Sequence, residues 1–176
     1  MMYTFSEDTI IKLTILGDGQ VGKTSLCTNL SEGIFPESYD MTIGCDIHTT
    51  ERDFSGQTAR LVLWDLAGQP HFDCVRPSFY NGAHVAIIVF SVDSRGSFYD
   101  VGNWVRELNK HCPSTPFVLV GNKCDLKREV SEAEAKELAA KYNVPYIETS
   151  ASKGENIESA FDMATKLALS GTAVAF

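Results

Sequence analysis

The sequence has no long apolar segment and little positive charge, and each absence excludes a class of protein. No apolar run approaches the roughly 20 residues of a membrane-spanning helix, and the opening MMYTFSEDTI lacks the basic and apolar regions of a secretory signal. Fifteen Lys and Arg stand against 23 Asp and Glu, for a formal net charge of −8. Because nucleic-acid binding depends on clustered basic residues, we expect no nucleic-acid partner.

Paired cysteines and metal-binding clusters are also missing. The five cysteines are scattered and form no C-x-x-C pair, which is typical of reduced thiols in a cytoplasmic protein. The four histidines have no spacing that suggests a metal site. The length of 176 residues fits one domain with a sizeable core, and no repeat, low-complexity tract or linker divides it. We therefore predict a single domain over residues 1–176.

Apolar runs alternate with segments of helical periodicity along the chain. The runs span residues 10–16, 59–64, 84–90, 116–120 and 144–149, and they are nearly continuous, as in strands buried on both faces. Helices are predicted after residue 22 and over 97–110, 131–142 and 154–169. A further strand over 44–54 should pair antiparallel with 58–64 through a tight turn. This order predicts an α/β fold with a six-stranded, mostly parallel sheet, one antiparallel strand and helices on both faces.

The segment GDGQVGKT lies between the first predicted strand and a predicted helix. It matches G-x-x-x-x-G-K-[ST], which in this context is typical of a phosphate-binding loop. Its glycines free the backbone, so that N–H groups and the helix N-terminus can face phosphate oxygens. Lys23 would reach the terminal phosphates, and the Thr24 hydroxyl would bind Mg²⁺. The predicted phosphate-binding residues are Gly17, Asp18, Gly19, Gln20, Val21, Gly22, Lys23, Thr24 and Ser25. Many ATPases and kinases carry this loop too, so it indicates a nucleotide without selecting the base.

Two segments that follow later strands, GNKCDL and TSASKG, can read a guanine base. The Asp125 carboxylate can accept hydrogen bonds from N1–H and the 2-amino group of guanine, where adenine has no donors. Asn122 can tie the loops together, and the stem of Lys123 can cover the ring. The Ala151 N–H could donate to the guanine O6. Each polar group left unpaired by the wrong base would cost about 1–3 kcal/mol, which favours guanine. Leu126, Ser150 and Ser152 complete the predicted base site.

With these three motifs, residues 8–169 resemble the small GTPases of the Ras superfamily. The resemblance implies a P-loop NTPase fold of the small G-domain type. It also implies a molecular switch that binds GTP and GDP with Mg²⁺ and hydrolyses GTP. The segments at 42–46, 64–69 and 79–84 are most similar to the Rab group, whereas RPSFY and FSVDSRGSF are similar to the Rho group. We favour the Rab group because the helical insertion typical of Rho is absent after NKCDL.

The resemblance assigns roles in a first switch loop, GIFPESYDMTIG. Thr42 would bind Mg²⁺ and the γ-phosphate in the triphosphate state only. Phe35 would pack against the base, and Tyr39 would close over the phosphates.

The second switch begins at DLAGQ. There Asp65 would hold Mg²⁺ through water, the Gly68 N–H would contact the γ-phosphate, and Gln69 would orient the attacking water. The predicted catalytic residues are therefore Gln69, Lys23, Gly68 and Thr42, acting in an in-line transfer to water by positioning and charge stabilisation. Loss of the γ-phosphate would release both loops.

Partners are implied as well: effectors, exchange factors and GTPase-activating proteins that contact the two switches of a monomer. No arginine stands where it can be assigned as an intrinsic finger, and Gly19 leaves room for one from a partner. Arg76 is expected to be structural or to face a partner. Trp64, Ile47 and Phe79 fall at effector-facing positions of the Rab group, whereas Trp104 is expected in the core.

Three departures from the Rab pattern qualify these expectations. Pro70 and His71 replace the usual Glu-Arg, and Pro70 should stiffen the second switch. A pseudo-GTPase that binds nucleotide with little hydrolysis therefore stays as the alternative. Ser152 replaces the usual lysine. No cysteine follows Cys124, so membrane association is expected only through a tail absent from this sequence. The expected location is the cytoplasm, with the cytosolic face of membranes as the alternative. An ATP-dependent P-loop kinase is disfavoured because no arginine-rich lid insertion is present.

Overall fold

The computed structural model describes residues 9–38, 40–54 and 56–172, so the prediction for Tyr39 lies outside the described residues. Six strands form: β1 (Thr9–Leu16), β2 (Cys45–Phe54), β3 (Gln57–Leu66), β4 (Val85–Ser91), β5 (Phe117–Asn122) and β6 (Tyr146–Glu148). The helices are α1 (Lys23–Glu32), α2 (Pro77–Tyr80), α3 (Arg95–Tyr99), α4 (Val101–His111), α5 (Glu132–Tyr142) and α6 (Ile157–Thr172), with a 3-10 helix over Pro70–Phe72.

The strands form one sheet in the order β2-β3-β1-β4-β5-β6. Only the β2–β3 pair is antiparallel, and it is joined by the predicted hairpin. The predicted α/β fold is therefore confirmed. Every residue of β4 and β5 is buried, as their continuous apolar runs predict. Strand β2 alternates between exposed and half-buried residues because it lies at an edge of the sheet.

Side chains of each central strand alternate between two hydrophobic cores. Val85, Ile87 and Val89 of β4 face one core, which α1 and α6 cover with residues such as Leu26 and Phe161. The intervening Ala86, Ile88 and Phe90 face the second core, which α4 and α5 cover. Trp104 of α4 lies in this second core, as predicted. No helix among the described residues combines the length and apolar character needed to cross a bilayer.

Local contacts explain where α5 begins and where α3 gives way to α4. The predicted capping box opens α5: the Ser131 hydroxyl accepts from the Glu134 N–H at 3.2 Å, and the Glu134 carboxylate accepts from the Ser131 N–H at 2.9 Å. The helix expected over 97–110 is divided in two at Asp100. Its ψ of −8° departs from helical geometry, although its N–H still donates to the Gly96 carbonyl.

Because five strands run in one direction, their carboxyl ends meet at one edge of the sheet. The loops that follow β1, β3, β4, β5 and β6 all lie at this edge. In open α/β sheets this is where ligands bind.

Candidate functional site

A pocket of about 950 Å³ opens at this edge, between the phosphate loop, both switch segments and the two base-reading segments. Sixteen of the predicted site residues line it: Gly19, Gln20, Gly22, Lys23, Thr24, Ser25, Phe35, Thr42, Gly68, Gln69, Asn122, Lys123, Asp125, Leu126, Ala151 and Ser152. The other five do not line it, but each is hydrogen-bonded to a residue that does: Gly17, Asp18, Val21, Asp65 and Ser150. Thr28, which sequence reasoning missed, also lines the pocket. Its position one helical turn after Thr24 is the signal that could have found it.

The phosphate loop requires glycine at two positions. Gly17 has φ of 141°, and a Cβ there would lie 2.1 Å from the Val89 carbonyl oxygen. Gly22 has φ of 100°, and a Cβ would lie 2.2 Å from the Asn122 amide nitrogen. No side chain fits either place. The loop therefore packs directly against β4 and against the first base-reading segment.

Lys23 is buried at the floor of the phosphate loop. Its ammonium group donates to the carbonyls of Gly17 and Asp18, each at 2.7 Å. Burial lowers the pKa of Lys23 to about 8. A cation that is so poorly hydrated gains strongly from a neighbouring anion. The arrangement is suited to a phosphate.

Thr24, Thr42 and Asp65 meet beside the phosphate loop, although they come from three separate segments. The two threonine hydroxyls are 2.9 Å apart. Thr24 donates to Asp65 Oδ2, and Thr42 lies 3.4 Å from the same oxygen. Asp65 Oδ1 is buried and has no hydrogen-bond partner in the part of the chain that the structure describes, and burial raises the pKa of this carboxyl. An orphaned carboxylate oxygen beside two hydroxyls forms an all-oxygen donor set, which fits Mg²⁺.

The protein alone supplies few oxygen donors at this place. Among the described parts of the chain, no group of three or more His, Cys, Asp or Glu side chains could hold a metal ion. Mg²⁺ is usually bound through one or two carboxylates together with waters and substrate phosphates. The three residues therefore fit a magnesium ion that arrives with a phosphate ligand.

The second switch lies directly on the phosphate loop. A Cβ at Gly68 would lie 2.2 Å from the Gly17 carbonyl oxygen, so only glycine permits this approach. The Gln69 side chain packs over Gly19, where an added Cβ would lie 3.1 Å from Gln69 Nε2. Gln69 Oε1 is buried and has no partner among the described residues. It is an acceptor to spare on a residue that lines the pocket.

Pro70 does not distort the second switch. It occupies the first position of the 3-10 helix, where the missing N–H needs no partner. Gln69 before it is extended, with ψ of 142°, as residues before proline usually are.

The base-reading segments are joined to each other and to the phosphate loop. Asn122 donates to the Val21 carbonyl at 2.9 Å, and its Oδ1 accepts from Thr149 at 3.0 Å and from the Ala151 N–H at 3.3 Å. This places the Ala151 N–H on Asn122 in this structure rather than leaving it free. Lys123, which follows Asn122, has a left-handed backbone conformation with φ of 63°.

The Asp125 carboxylate is held by two serines. Ser150 donates to Oδ1 at 2.6 Å and Ser152 donates to Oδ2 at 3.0 Å. The bond from Ser150 and then that from Ser152 hold the pKa of Asp125 below its usual range, so the group is an anionic acceptor. Ser152, the departure from the Rab pattern, thus contacts the carboxylate that is predicted to read the base.

Arg76 is not directed into the pocket. Only 3% of it is exposed, and it pairs with Glu107 and Asp73. Of the two expectations for this residue, the structural one is confirmed. Phe35 lines the pocket but is 48% exposed.

Comparison with known proteins assigns the family. Residues 12–170 match the Ras family. The Ras-related protein Rab7 of Cenchrus ciliaris is 43% identical over 171 residues, which cover 92% of this chain and 83% of the relative. The Ras-related protein RABG3f of Arabidopsis thaliana is equally similar, at 43% over 171 residues with the same coverage. The GTP-binding protein ypt1 of Schizosaccharomyces pombe is 39% identical over 157 residues, 88% of this chain and 77% of the relative.

These matches exclude the ATP-dependent kinase alternative and favour the Rab over the Rho group. Nothing in them favours a pseudo-GTPase. Together with the sheet order and the phosphate loop, they show that the chain belongs to the Ras family and is a small GTPase switch of the Rab type.

Proposed function

We propose that the pocket binds GTP with Mg²⁺ and that Lys23, Thr42, Gly68 and Gln69 carry the hydrolysis to GDP and phosphate. The observation that carries this proposal is the meeting of Thr24, Thr42 and Asp65, from segments up to 41 residues apart, beside a buried lysine. Buried polar atoms usually have a hydrogen-bond partner, and Asp65 Oδ1 has none among the residues described, which favours a ligand at this place.

The phosphate loop supplies the electrostatic part of the reaction. Its N–H groups and the N-terminus of α1 face the phosphates, and the Lys23 ammonium balances the charge that develops in the transition state. Thr24, Thr42 and Asp65 (the last through water) would hold Mg²⁺, which neutralises phosphate charge when bound.

Gln69 and Gly68 supply the positioning part. Gln69 Oε1, which has no partner among the described side chains and backbone, would accept a hydrogen bond from a water molecule and orient it in line with the terminal phosphoanhydride. The Gly68 N–H can donate to the γ-phosphate from its position against the phosphate loop. Because Arg76 is committed to Glu107 and Asp73, a catalytic arginine would come from a GTPase-activating partner, which typically adds about 10³–10⁵ in rate.

Guanine is selected by Asp125, and Asn122 and Lys123 shape the base site around it. Asp125 stays ionised beside the two serine hydroxyls and so offers acceptors to N1–H and the 2-amino group. Adenine would offer this carboxylate no donor, so the acceptor capacity that the two serines leave would stay unused.

The first switch and the strand that follows it would be read by effectors and exchange factors. Met41, Ile43 and Ile47 are exposed apolar side chains on one continuous stretch. Trp64 is half-buried, with the Lys12 ammonium 3.8 Å from its ring centroid and the Phe79 ring beside it. Its expected recognition role therefore stays a prediction. We place the protein in the cytoplasm or at the cytosolic face of membranes, as a monomer.

The test is single-turnover GTP hydrolysis by the magnesium-loaded protein and by Gln69→Leu. We expect the variant to hydrolyse GTP at least about tenfold more slowly, because the leucine cannot orient water. GDP affinity, measured in parallel, should stay within about threefold, since Gln69 contacts no part of GDP in this mechanism. Removing Mg²⁺ with a chelator should slow both proteins. Equal rates for the two proteins would overturn the role of Gln69 and restore the pseudo-GTPase alternative.

A further inference from the structure

A buried series of contacts connects the second switch to the phosphate loop through helix α4. It begins at Arg76, whose guanidinium donates through Nη1 to the carbonyls of Ala67 at 3.1 Å and Gln69 at 3.2 Å. These carbonyls lie on either side of Gly68. Holding both of them orients the Gly68 peptide and the backbone from which the Gln69 side chain extends.

The rest of the guanidinium is anchored to α4. Nε and Nη2 donate to the two carboxylate oxygens of Glu107 at 2.8 and 3.1 Å, a bidentate pair. Tyr80 also donates to Glu107, at 2.8 Å. Although burial opposes it, the bonds from Arg76 and Tyr80 lower the pKa of Glu107, so the carboxylate stays charged. Arg76 is thus fixed at both ends.

Trp104 continues the series to the phosphate loop. The Arg76 guanidinium carbon lies 4.6 Å from the centroid of the Trp104 ring, a cation–π contact. The indole Nε1–H donates to the Asp18 carboxylate at 2.7 Å. Only 6% of Trp104 is exposed. A single rigid side chain of α4 therefore contacts both the arginine of the second switch and an acidic residue of the phosphate loop.

We propose that Arg76 and Trp104 act together as positioning residues that hold the Gly68–Gln69 backbone in register with the phosphate loop and so set the intrinsic rate of GTP hydrolysis. The inference rests on the proposed role of Gln69. Neither side chain touches the pocket, so the two act through Gly68 and Gln69. A displacement of about 1 Å in a reacting group can cost about 100-fold in rate. Because GDP lacks the γ-phosphate, its affinity should change little when Gly68 and Gln69 are displaced.

The shape of the guanidinium makes a conservative test available. Arg76→Lys keeps the positive charge and most of the buried stem, but an ammonium cannot bond two carbonyls and two carboxylate oxygens in one plane. Arg95→Lys is the matched control. Arg95 in α3 is also an arginine paired with a glutamate, Glu134 at 2.7 Å, but its guanidinium contacts Glu134, the Glu129 carbonyl and the Tyr99 ring instead of the second switch.

The experiment uses Trp64→Phe as the reference protein, because Trp64 and Trp104 are the two tryptophans of the chain and Trp104 then reports alone. We expect Arg76→Lys to slow single-turnover GTP hydrolysis at least about tenfold, with GDP affinity within about threefold of the reference. Its Trp104 emission should shift, since the cation above the ring has moved. Arg95→Lys should match the reference in all three measurements.

Trp104→Phe in the same background is the second variant, and it decides the question if Arg76→Lys does not fold. It keeps an aromatic face for Arg76 but removes the N–H bond to Asp18. We expect slower hydrolysis of GTP with GDP affinity retained. An unchanged rate in the folded variants, or a rate that falls only in parallel with GDP affinity, would overturn the inference. If Gln69→Leu slows hydrolysis while Arg76→Lys does not, this inference alone fails. If Gln69→Leu has no effect, the proposed function fails as well.

Discussion

The base-reading segments and the first switch loop line the same pocket but are built in opposite ways. In the base-reading segments the polar side chains bond to one another, and Asn122 is 1% exposed and connects three chain segments. In the first switch, the described residues between α1 and β2 form no helix or strand. Ile43 there is 77% exposed.

This difference in order suggests a division of roles, with nucleotide recognition in the base-reading segments and signalling in the first switch. The base-reading segments are connected by hydrogen bonds within the protein, which suits them to present acceptors in a fixed arrangement and so to supply affinity and base selection. The first switch reaches the pocket through Thr42, whose hydroxyl bonds to the residues suited to Mg²⁺. We therefore expect the position of this loop to depend on what occupies the pocket, as in an order–disorder switch.

The largest expected effect tests the ordered region. Asp125→Asn should lower GTP affinity by at least about 100-fold, because an amide cannot accept from both guanine donors. Affinity for the xanthine nucleotide should rise, since the amide N–H₂ can donate to its additional carbonyl. Displacement of a fluorescent nucleotide measures both values.

Asp53→Asn, at an exposed carboxylate of β2 remote from the pocket, is the control and should leave both affinities unchanged. An unaltered guanine preference in Asp125→Asn would contradict the assignment of the base site.

A smaller effect is expected at Ser152, where the chain departs from the Rab pattern. Ser152→Ala removes one neutral donor to Asp125, so guanine affinity should change by less than about tenfold. Ser150→Ala should cost more, because this hydroxyl is fully buried and makes the shorter bond, at 2.6 Å. Calorimetric titration with GDP compares the two variants. A larger loss of GDP affinity in Ser152→Ala than in Ser150→Ala would show that burial does not determine which serine contributes more.

The smallest effect is expected in the switch. Ile43→Ser should change the free energy of unfolding by no more than about 0.5 kcal/mol, because the side chain has almost no core partners to lose. Ile88→Ala, in the fully buried β4 that pairs with β5, should lower the free energy of unfolding by about 2–5 kcal/mol. Urea unfolding without nucleotide measures both. A cost at Ile43 comparable to that at Ile88 would remove the distinction between the two regions.

Most of the fold was accessible from local pattern. The apolar runs of β1, β4 and β5 and the capping box of α5 have short-range signatures, and their predicted elements formed within two residues of the expected bounds. The division between α3 and α4 was not predicted, because apolar residues at Phe98, Val101 and Val105 keep helical spacing across it. The deviation is confined to the backbone of Asp100, where the apolar pattern carries no signal.

Site residues could be predicted where a motif encodes the backbone geometry, as with Gly17 and Gly22, whose positive φ and close contacts admit no other residue. The part of Ser152 could not be predicted in the same way. The sequence shows that Ser152 replaces the usual lysine of the Rab pattern. It does not predict that the Ser152 hydroxyl bonds to Asp125.

The order of strands and helices, the phosphate loop and the family resemblance follow from the sequence alone, because periodicity and turn chemistry act over a few residues. The resemblance assigns Thr24, Thr42 and Asp65 to one Mg²⁺ site, but only the tertiary structure gives the contacts between their side chains. It alone decided that Arg76 lies between Gln69, Trp104 and Glu107 instead of facing a partner. The contacts among Thr24, Thr42 and Asp65 join residues that are 18 to 41 positions apart, and Arg76 and Glu107 are 31 positions apart. They form because sheet order and register bring those segments to one edge, and no local pattern specifies that.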